Sequence, residues 1–352
     1  MYTSINGIQH LGVAVTDMDQ SLAYFRKHLG MDVPFFDSIA DAPLMDIYTR
    51  NSTITKRASM ILNLQGGCAM EVIRPTSFEP QKPVFKVRFG DLGILAGRVK
   101  CKSIEDSHVQ VKANGAKHVS DIVTTPDGKR VFSIEDLDGN WFFFEEGSDW
   151  FVSTGHHSGG ICGCMMGVSN MDLSWAFYRD QMGYDQLVYD EEGVFDDLLH
   201  LPGGDRTMRR VRITQSTKTL GNFGKVAGQT YIELVQVMDG DHRYIYEDRI
   251  WADTGFVHLG FDVKGMKVVE KNLTTAGFPF TCDSSNSLHM GKTRVHCVYI
   301  DDPDKIWLEL IEVYKIPLVE KWGLFLNVEK RDPRKPLPDY MLKALKFSRI
   351  KE

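Results

Sequence analysis

Two histidines and two glutamates recur in this sequence at matching places. The stretch Gly7 to Val15 (GIQHLGVAV) returns as Gly255 to Val263 (GFVHLGFDV), each an apolar, strand-like run with one imidazole, His10 or His258, in otherwise non-ionic surroundings. A carboxylate follows each on a later apolar run, Glu71 in GCAMEVI and Glu309 in KIWLELIEV. Neutral imidazole and carboxylate are borderline-to-hard donors that suit Fe(II), Ni, Zn, Mn or Co. Four of them around one divalent metal ion leave two octahedral positions for a bidentate substrate, or for substrate and dioxygen. Either histidine alone reads as a hydrogen-bonded core residue, and either glutamate as a strand-end group facing solvent. The matched pair of pairs makes a metal site the reading to test.

The elements that must position these residues follow from internal repetition. VTDMDQSLAYFRKHLGMD (Val15 to Asp32) lies over VSNMDLSWAFYRDQMGYD (Val168 to Asp185) without a gap at an offset of 153 residues, so the two halves of the chain are duplicates. In the first unit, residues 7 to 15 read as a strand and Asp17 to Leu29 as an amphipathic helix, with Asp17 as N-cap and Gly30 as its stop. Met31 to Phe36, Ala58 to Leu64 and Cys68 to Ile73 read as three more strands, the last two joined across Gln65-Gly66-Gly67. Similar βαβββ units begin at Ile94, Gly160 and Gly255. The expected organisation is therefore modules one and two in residues 1–150, a linker at 151–159, modules three and four in 160–314, and a proline-punctuated extension at 315–352 ending in a short basic helix. A lone unit leaves a sheet edge and an apolar face open. Pairing two units gives an eight-stranded sheet curled around a cleft, an α+β fold.

The chain has 352 residues, 43% apolar and 25% charged, with a formal net charge of −6 and a sequence pI of about 6.0. Those values give no electrostatic reason to expect nucleic acid or an anionic membrane, and small molecules are the expected partners. No stretch approaches the roughly 20 apolar residues of a membrane span, and the start, MYTSINGIQH, lacks the marks of a signal peptide, so the expected location is cytoplasmic. The six cysteines are scattered and mostly in apolar runs, as reduced buried thiols would be. His156, His157, Cys162 and Cys164 in GHHSGGICGC are a candidate zinc group, but their spacing is not that of a finger or ribbon.

The paired βαβββ units, the His-Leu-Gly strand, the helix SLAYFRKHLGM and the ending DDPDKIWLELIE resemble the vicinal oxygen chelate superfamily, which includes glyoxalase I, extradiol dioxygenases and bleomycin resistance proteins. The resemblance covers four modules, up to about Tyr314. It implies two glyoxalase-like, eight-stranded cup-shaped sheets and a divalent metal held in a cup by one first-strand and one last-strand ligand from each module. Here those positions are His10, Glu71, His258 and Glu309. The substrate would then chelate the metal through vicinal oxygens. The second and third modules depart from the pattern: Gly163 stands at a histidine position, GILAGRVKC has no histidine, Phe143 holds a carboxylate position with Glu145 two residues on, and Glu233 has no imidazole to complement it. Only if module one pairs with module four, within a chain or across a homodimer exchanging modules, do all four ligands meet.

Two enzyme classes share this ligand set. In a glyoxalase I-like isomerase, epimerase or lyase, Glu71 or Glu309 removes a carbon-bound proton and the metal carries the enediolate charge. In an Fe(II) dioxygenase of the extradiol or 2-oxo-acid type, His10, His258 and Glu309 form a facial triad and Glu71 supports it. The fourth ligand-type residue favours the first, although the strand LGVAV lacks an arginine for a glutathione carboxylate. A non-catalytic binding protein would not need the paired His and Glu. Arg206, Arg209, Arg210 and Arg212 read as a solvated face balancing Asp196, Asp197 and Glu191. The loops Asp37 to Thr55 and Asp190 to Arg209 read as lids over the cup mouths.

Overall fold

The computed structural model describes residues 3–285, 288–290, 293–319 and 324–350. Module one comprises β1 (Ser4–Ala14), α1 (Met18–Leu29), β2 (Val33–Asp41), β3 (Thr55–Leu62) and β4 (Ala69–Pro75). Module two comprises β5 (Gly93–Cys101), α2 (Ile104–Ala113), β6 (Val123–Thr124), β7 (Arg130–Glu135) and β8 (Trp141–Glu146). Module three follows with β9 (Ser158–Gly167), α3 (Met171–Asp180), β10 (Gln186–Gly193), β11 (Met208–Thr214), a short helix α4 (Gly224–Ala227) and β12 (Tyr231–Val237). Module four has β13 (Gly255–Lys264), α5 (Met266–Thr275), β14 (Cys282–Asp283), β15 (Leu288–Met290), β16 (Thr293–Asp301) and β17 (Trp307–Val319). The extension adds β18 (Leu324–Asn327) and α6 (Asp339–Lys343).

The helix signals act as expected from their chemistry. The Asp17 side chain accepts from the Gln20 amide at the start of α1, and Gly30 closes it at φ 62°, a left-handed conformation that glycine adopts without a Cβ penalty. The last strand runs on through Val319, beyond the expected end of module four at Tyr314, because β18 pairs with its far end. Residues 320–323 and 351–352 of the extension lie outside the described residues. None of the described helices is long and apolar enough to cross a membrane, and the six cysteines are free.

Each sheet takes one module from each half of the chain. One runs β14-β16-β17-β13-β1-β4-β3-β2, with β15 and β18 as side pairings, and the other runs β10-β11-β12-β9-β5-β8-β7-β6. The first is therefore modules four and one, joined by antiparallel β13 and β1. The second is modules three and two, joined by antiparallel β9 and β5. Side chains pointing away from the cups, among them Leu11, Val13, Phe142, Cys164 and Leu308, merge with the buried faces of α1, α2, α3 and α5 into one core shared by both sheets. Their alternate neighbours line the cups.

The second cup corrects the reading of the arginine cluster. On β11, Val211 and Ile213 enter the shared core, so alternation turns Arg210 and Arg212 into the cup, where both are fully buried. Arg209 faces outward, to Asp190 and Asp172, and Arg206 pairs with the exposed Asp239 at 3.5 Å. Arg210 binds Asp197 at 2.6 Å and also pairs with Glu233. Arg98 binds Glu145 at 2.6 Å and pairs with Glu233, while Arg212 pairs with Glu145. Both glutamates at the end strands of modules two and three are thus committed to guanidinium groups, and Ala96 and Gly163 stand where the first cup has histidines.

Burial alone would raise the Glu233 carboxyl, but Arg210, Arg98 and Arg212 outweigh it and lower it to about 2. A carboxyl depressed in the folded state contributes stability above its unfolded value of about 4.3, and that contribution is lost as pH falls from there toward 2. Glu233→Gln leaves buried guanidinium groups short of a counter-charge, and is expected to lower unfolding stability by about 3–5 kcal/mol. Urea titration at pH 7 checks this; an unchanged midpoint would show that the network adds nothing.

Candidate metal centre

The pairing of β1 with β13 places His10 opposite Gly260 and Gly12 opposite His258. Each His-Leu-Gly motif therefore supplies one imidazole and the gap that receives the other. A Cβ on Gly260 would overlap the His10 ring, and one on Gly12 the His258 ring. Neither glycine is needed for its backbone angle; the demand is for space. The two rings meet edge to face at 5.0 Å between centroids, with their Nε2 atoms 2.8 Å apart.

The glutamates arrive from the flanking strands. β4 runs parallel to β1 with Glu71 beside Gly12, and β17 runs parallel to β13 with Glu309 beside Gly260, the same relation repeated about a local two-fold. Glu309 Oε2 lies 3.0 Å from His10 Nε2 and 3.3 Å from His258 Nε2. Glu71 Oε2 lies 3.3 Å from His258 Nε2 and 3.8 Å from His10 Nε2. All four donor atoms fall within 4.8 Å of one another, and all four residues are buried.

Supporting contacts orient each donor. The Gln9 side-chain oxygen sits 3.2 Å from His10 Nδ1, and an amide oxygen only accepts, so the ring proton resides on Nδ1 and the Nε2 lone pair faces the centre. Tyr299 Oη is 3.3 Å from His258 Nδ1. Each glutamate holds one oxygen outside and turns the other inward: the Cys297 thiol donates to Glu309 Oε1 at 2.9 Å, and Lys56 Nζ lies 3.5 Å from Glu71 Oε1. Burial would raise the Glu71 carboxyl, but Lys56 and the two imidazoles hold it well below the usual range. Glu309 is lowered too, by His258 and His10 against burial.

The arrangement fits a divalent ion. Metal–ligand bonds of about 2.1 Å imply donor–donor edges of roughly 3.0 Å in an octahedron and 3.4 Å in a tetrahedron, and the spacings above straddle both. Glu309 Oε2 is buried, with the His10 and His258 Nε2 atoms, 3.0 and 3.3 Å away, as its polar neighbours in the centre, so the oxygen is aimed at the point where the other donors converge. Among the described residues no other set of His, Cys, Asp and Glu donors converges in this way. The candidate zinc group is not assembled: His156 binds Asp32 at 2.9 Å, and Cys162 and Cys164 are free, buried thiols.

One end of this cup is plugged. The loop after β2 forms a 3-10 turn, Pro43–Tyr48, and Tyr48 packs on Trp307 at 5.0 Å and on Tyr299 at 5.9 Å. Tyr246 stacks against Trp307 at 4.6 Å, and buried Trp251 joins the same cluster. Tyr48 lies in the loop Asp37 to Thr55 that the sequence marked as a lid, whereas Lys56, Tyr299, Cys297, Tyr246 and Trp251 were not singled out from sequence. Tyr299 stands directly across from Glu309 in the β16–β17 register, a relation visible only once the strand pairing is known.

Residues 7–144 match the family model of the glyoxalase/bleomycin resistance protein/dioxygenase superfamily. That match spans the first two modules. No curated protein matches the sequence. Among solved structures, glyoxalase I from Zea mays is similar at TM-score 0.54 and 13% identity over 88% of this chain and 92% of that one. A protein described as a putative dioxygenase from Bacillus subtilis is similar at TM-score 0.58 and 10% identity, over 88% and 86% of the two chains. At these identities the likeness establishes the fold, two curled sheets of tandem modules, and no activity.

His10→Ala and His258→Ala are each expected to abolish retained metal, whereas Cys162→Ser keeps it. Gly260→Ala is expected to displace His10 and weaken metal retention at least tenfold, on the scale of losing a ligand's support. Elemental analysis after chelator-free purification checks all four, and full occupancy in either histidine variant would refute the site.

Proposed function

We propose that the chain is a metal-dependent enzyme whose substrate, a small molecule, engages one divalent ion (Fe, Ni, Zn, Co or Mn) through neighbouring oxygens and gives up a carbon-bound proton to a glutamate. That is isomerase, epimerase or lyase chemistry. The observation that carries this reading is the convergence of four buried donors, two of them carboxylates, where an iron triad needs only three. The six free thiols accord with a reducing, cytoplasmic setting.

A bound divalent ion supplies Lewis acidity, acidifying the C–H next to the oxygens it holds. His10, His258 and Glu309 form the tighter part of the ligand set. Glu71 stands farther from His10 and has Lys56 as a second partner, so its carboxylate has somewhere to turn when substrate arrives. In that position it accepts the proton at Oε2 and returns it to the neighbouring carbon. Glu309, held by the Cys297 thiol, stays in place; it is the alternative base should Glu71 remain with Lys56. The dry surroundings strengthen each of these electrostatic interactions.

One feature favours a second reading. If the Lys56 ion pair keeps Glu71 out of the coordination sphere, His10, His258 and Glu309 form the facial triad of an Fe(II) dioxygenase.

Protein purified without chelator is expected to carry nickel, zinc, cobalt or manganese, and to exchange C–H for C–D in D2O on 2-hydroxy aldehyde and 2-hydroxy ketone probes. Glu71→Gln is expected to slow that exchange by roughly 10²–10⁴-fold with metal content preserved. Iron as the retained metal, with oxygen uptake on catechols and no exchange, would overturn the proton-transfer reading in favour of the triad.

A further inference from the structure

The plugged end of the first cup has an open counterpart. Because β4 and β17 run in opposite directions, the residue two before Glu71 and the residue two after Glu309 lie at the same end, and these are Ala69 and Ile311. Both line a cavity of about 110 Å³. With a rise of about 3.3 Å per residue, it begins about 7 Å along the strands from the ligand carboxylates. Met60, directly across from Glu71, and Gln9, whose side chain contacts His10, line it as well. At the other end the corresponding positions are Ile73 and Trp307, packed under the aromatic plug. Along the strands, therefore, room lies on one side of the metal centre and the aromatic plug occupies the other.

The walls of that cavity are Phe35, Phe36, Met60, Phe223, Ile311 and Val313. No Lys, Arg or His lines it among the described residues, and its one carboxylate is Asp262, which accepts a 2.7 Å hydrogen bond from the Asn6 side chain. Such a lining stabilises apolar surface, offers no counter-charge to an anionic tail, and places a carboxylate where that tail would go. The volume is on the scale of the roughly 150 Å³ engineered cavity that takes up benzene. A tail as long and as charged as a tripeptide does not fit.

Resting on the metal-centre reading, we infer that the substrate couples its oxygen-chelating head to a compact, uncharged, apolar tail of about one six-membered ring, and that this cavity selects it. The lid is the segment from Thr219 through α4, which the C-terminal extension clamps through the Gly221 amide to the Pro333 carbonyl and the Leu337 amide to the Asn222 carbonyl. Phe223 in that lid meets Phe35 edge to face at 5.4 Å, closing the cavity from above.

The test uses Mn(II)-loaded full-length protein, with water-proton relaxation reporting displacement of metal-bound water by three 2-hydroxy acids. Glycolate carries the head alone, mandelate adds a phenyl ring, and 2-hydroxyglutarate adds a charged tail. Mandelate is expected to bind at least about tenfold tighter than glycolate, the scale set by filling an apolar pocket, and 2-hydroxyglutarate more weakly than mandelate. Val313→Phe, which fills the cavity four residues from the nearest ligand, should erase the mandelate advantage and leave manganese content and glycolate affinity unchanged. Phe223→Ala, which enlarges it, should improve 2-naphthylglycolate relative to mandelate, and decides the matter if Val313→Phe does not fold. Failure to take up manganese would sink the metal centre and this inference with it. Uptake, with glycolate bound but mandelate no tighter, or with neither variant altering the preference, would overturn the tail assignment alone.

Discussion

The structure turns on one steric exchange, in which each of two central strands lends the other the room for a histidine. His10 fills the space over Gly260, and His258 the space over Gly12. Side chains at those glycines would force the strands apart or the rings out of line. The parallel neighbours β4 and β17 then have only one register in which their glutamates reach the rings. The metal centre is thus a property of the sheet's midline, placed by backbone pairing and not by flexible loops, which is the arrangement that gives a catalytic constellation its precision.

The two cups show what the same scaffold does with different charges. In the first, two carboxylates and two imidazoles converge on one point, with Glu309 Oε2 turned inward among them. In the second, three buried arginines face Glu145, Glu233 and Asp197, and the charges satisfy one another. With Ala96 and Gly163 at the histidine positions, the second cup holds a salt-bridge lattice in place of a set of metal-type donors. Glu233 still occupies the carboxylate position that Glu71 and Glu309 hold, but guanidinium groups have taken the place of a cation.

Much of this was legible from residue order because the repeats carry it. The gap-free offset between halves located the helices, Asp17 and Gly30 marked the ends of α1, and the recurring His-Leu-Gly with its later Glu named the four donors. The asymmetry between modules also pointed to pairing of the first with the fourth. What escaped was whatever depends on contacts between distant strands. Arg210 and Arg212 read as surface because their partners, Glu145 and Glu233, lie on other strands and in part in another module. The alternation with Val211 and Ile213 was the available signal. Lys56, Tyr299 and the aromatic plug around Trp251 had no local mark, since their roles arise only where β3, β16 and the 244–254 segment close on the cup.

The partners of the central pair are 248 residues apart in the chain, whereas β5 and β9 of the other sheet are near neighbours in sequence. On the ribosome the inner two modules can close on each other early. The first module must wait, with the edge of β1 unpaired and its half of the ligand set exposed, until β13 has been made. Nested connectivity of this kind delays the long-range closure that a high contact order already slows. The four donors can therefore come together only once β17, which carries Glu309, has been made, and a chain that stops before it lacks both that carboxylate and the parallel partner of β13.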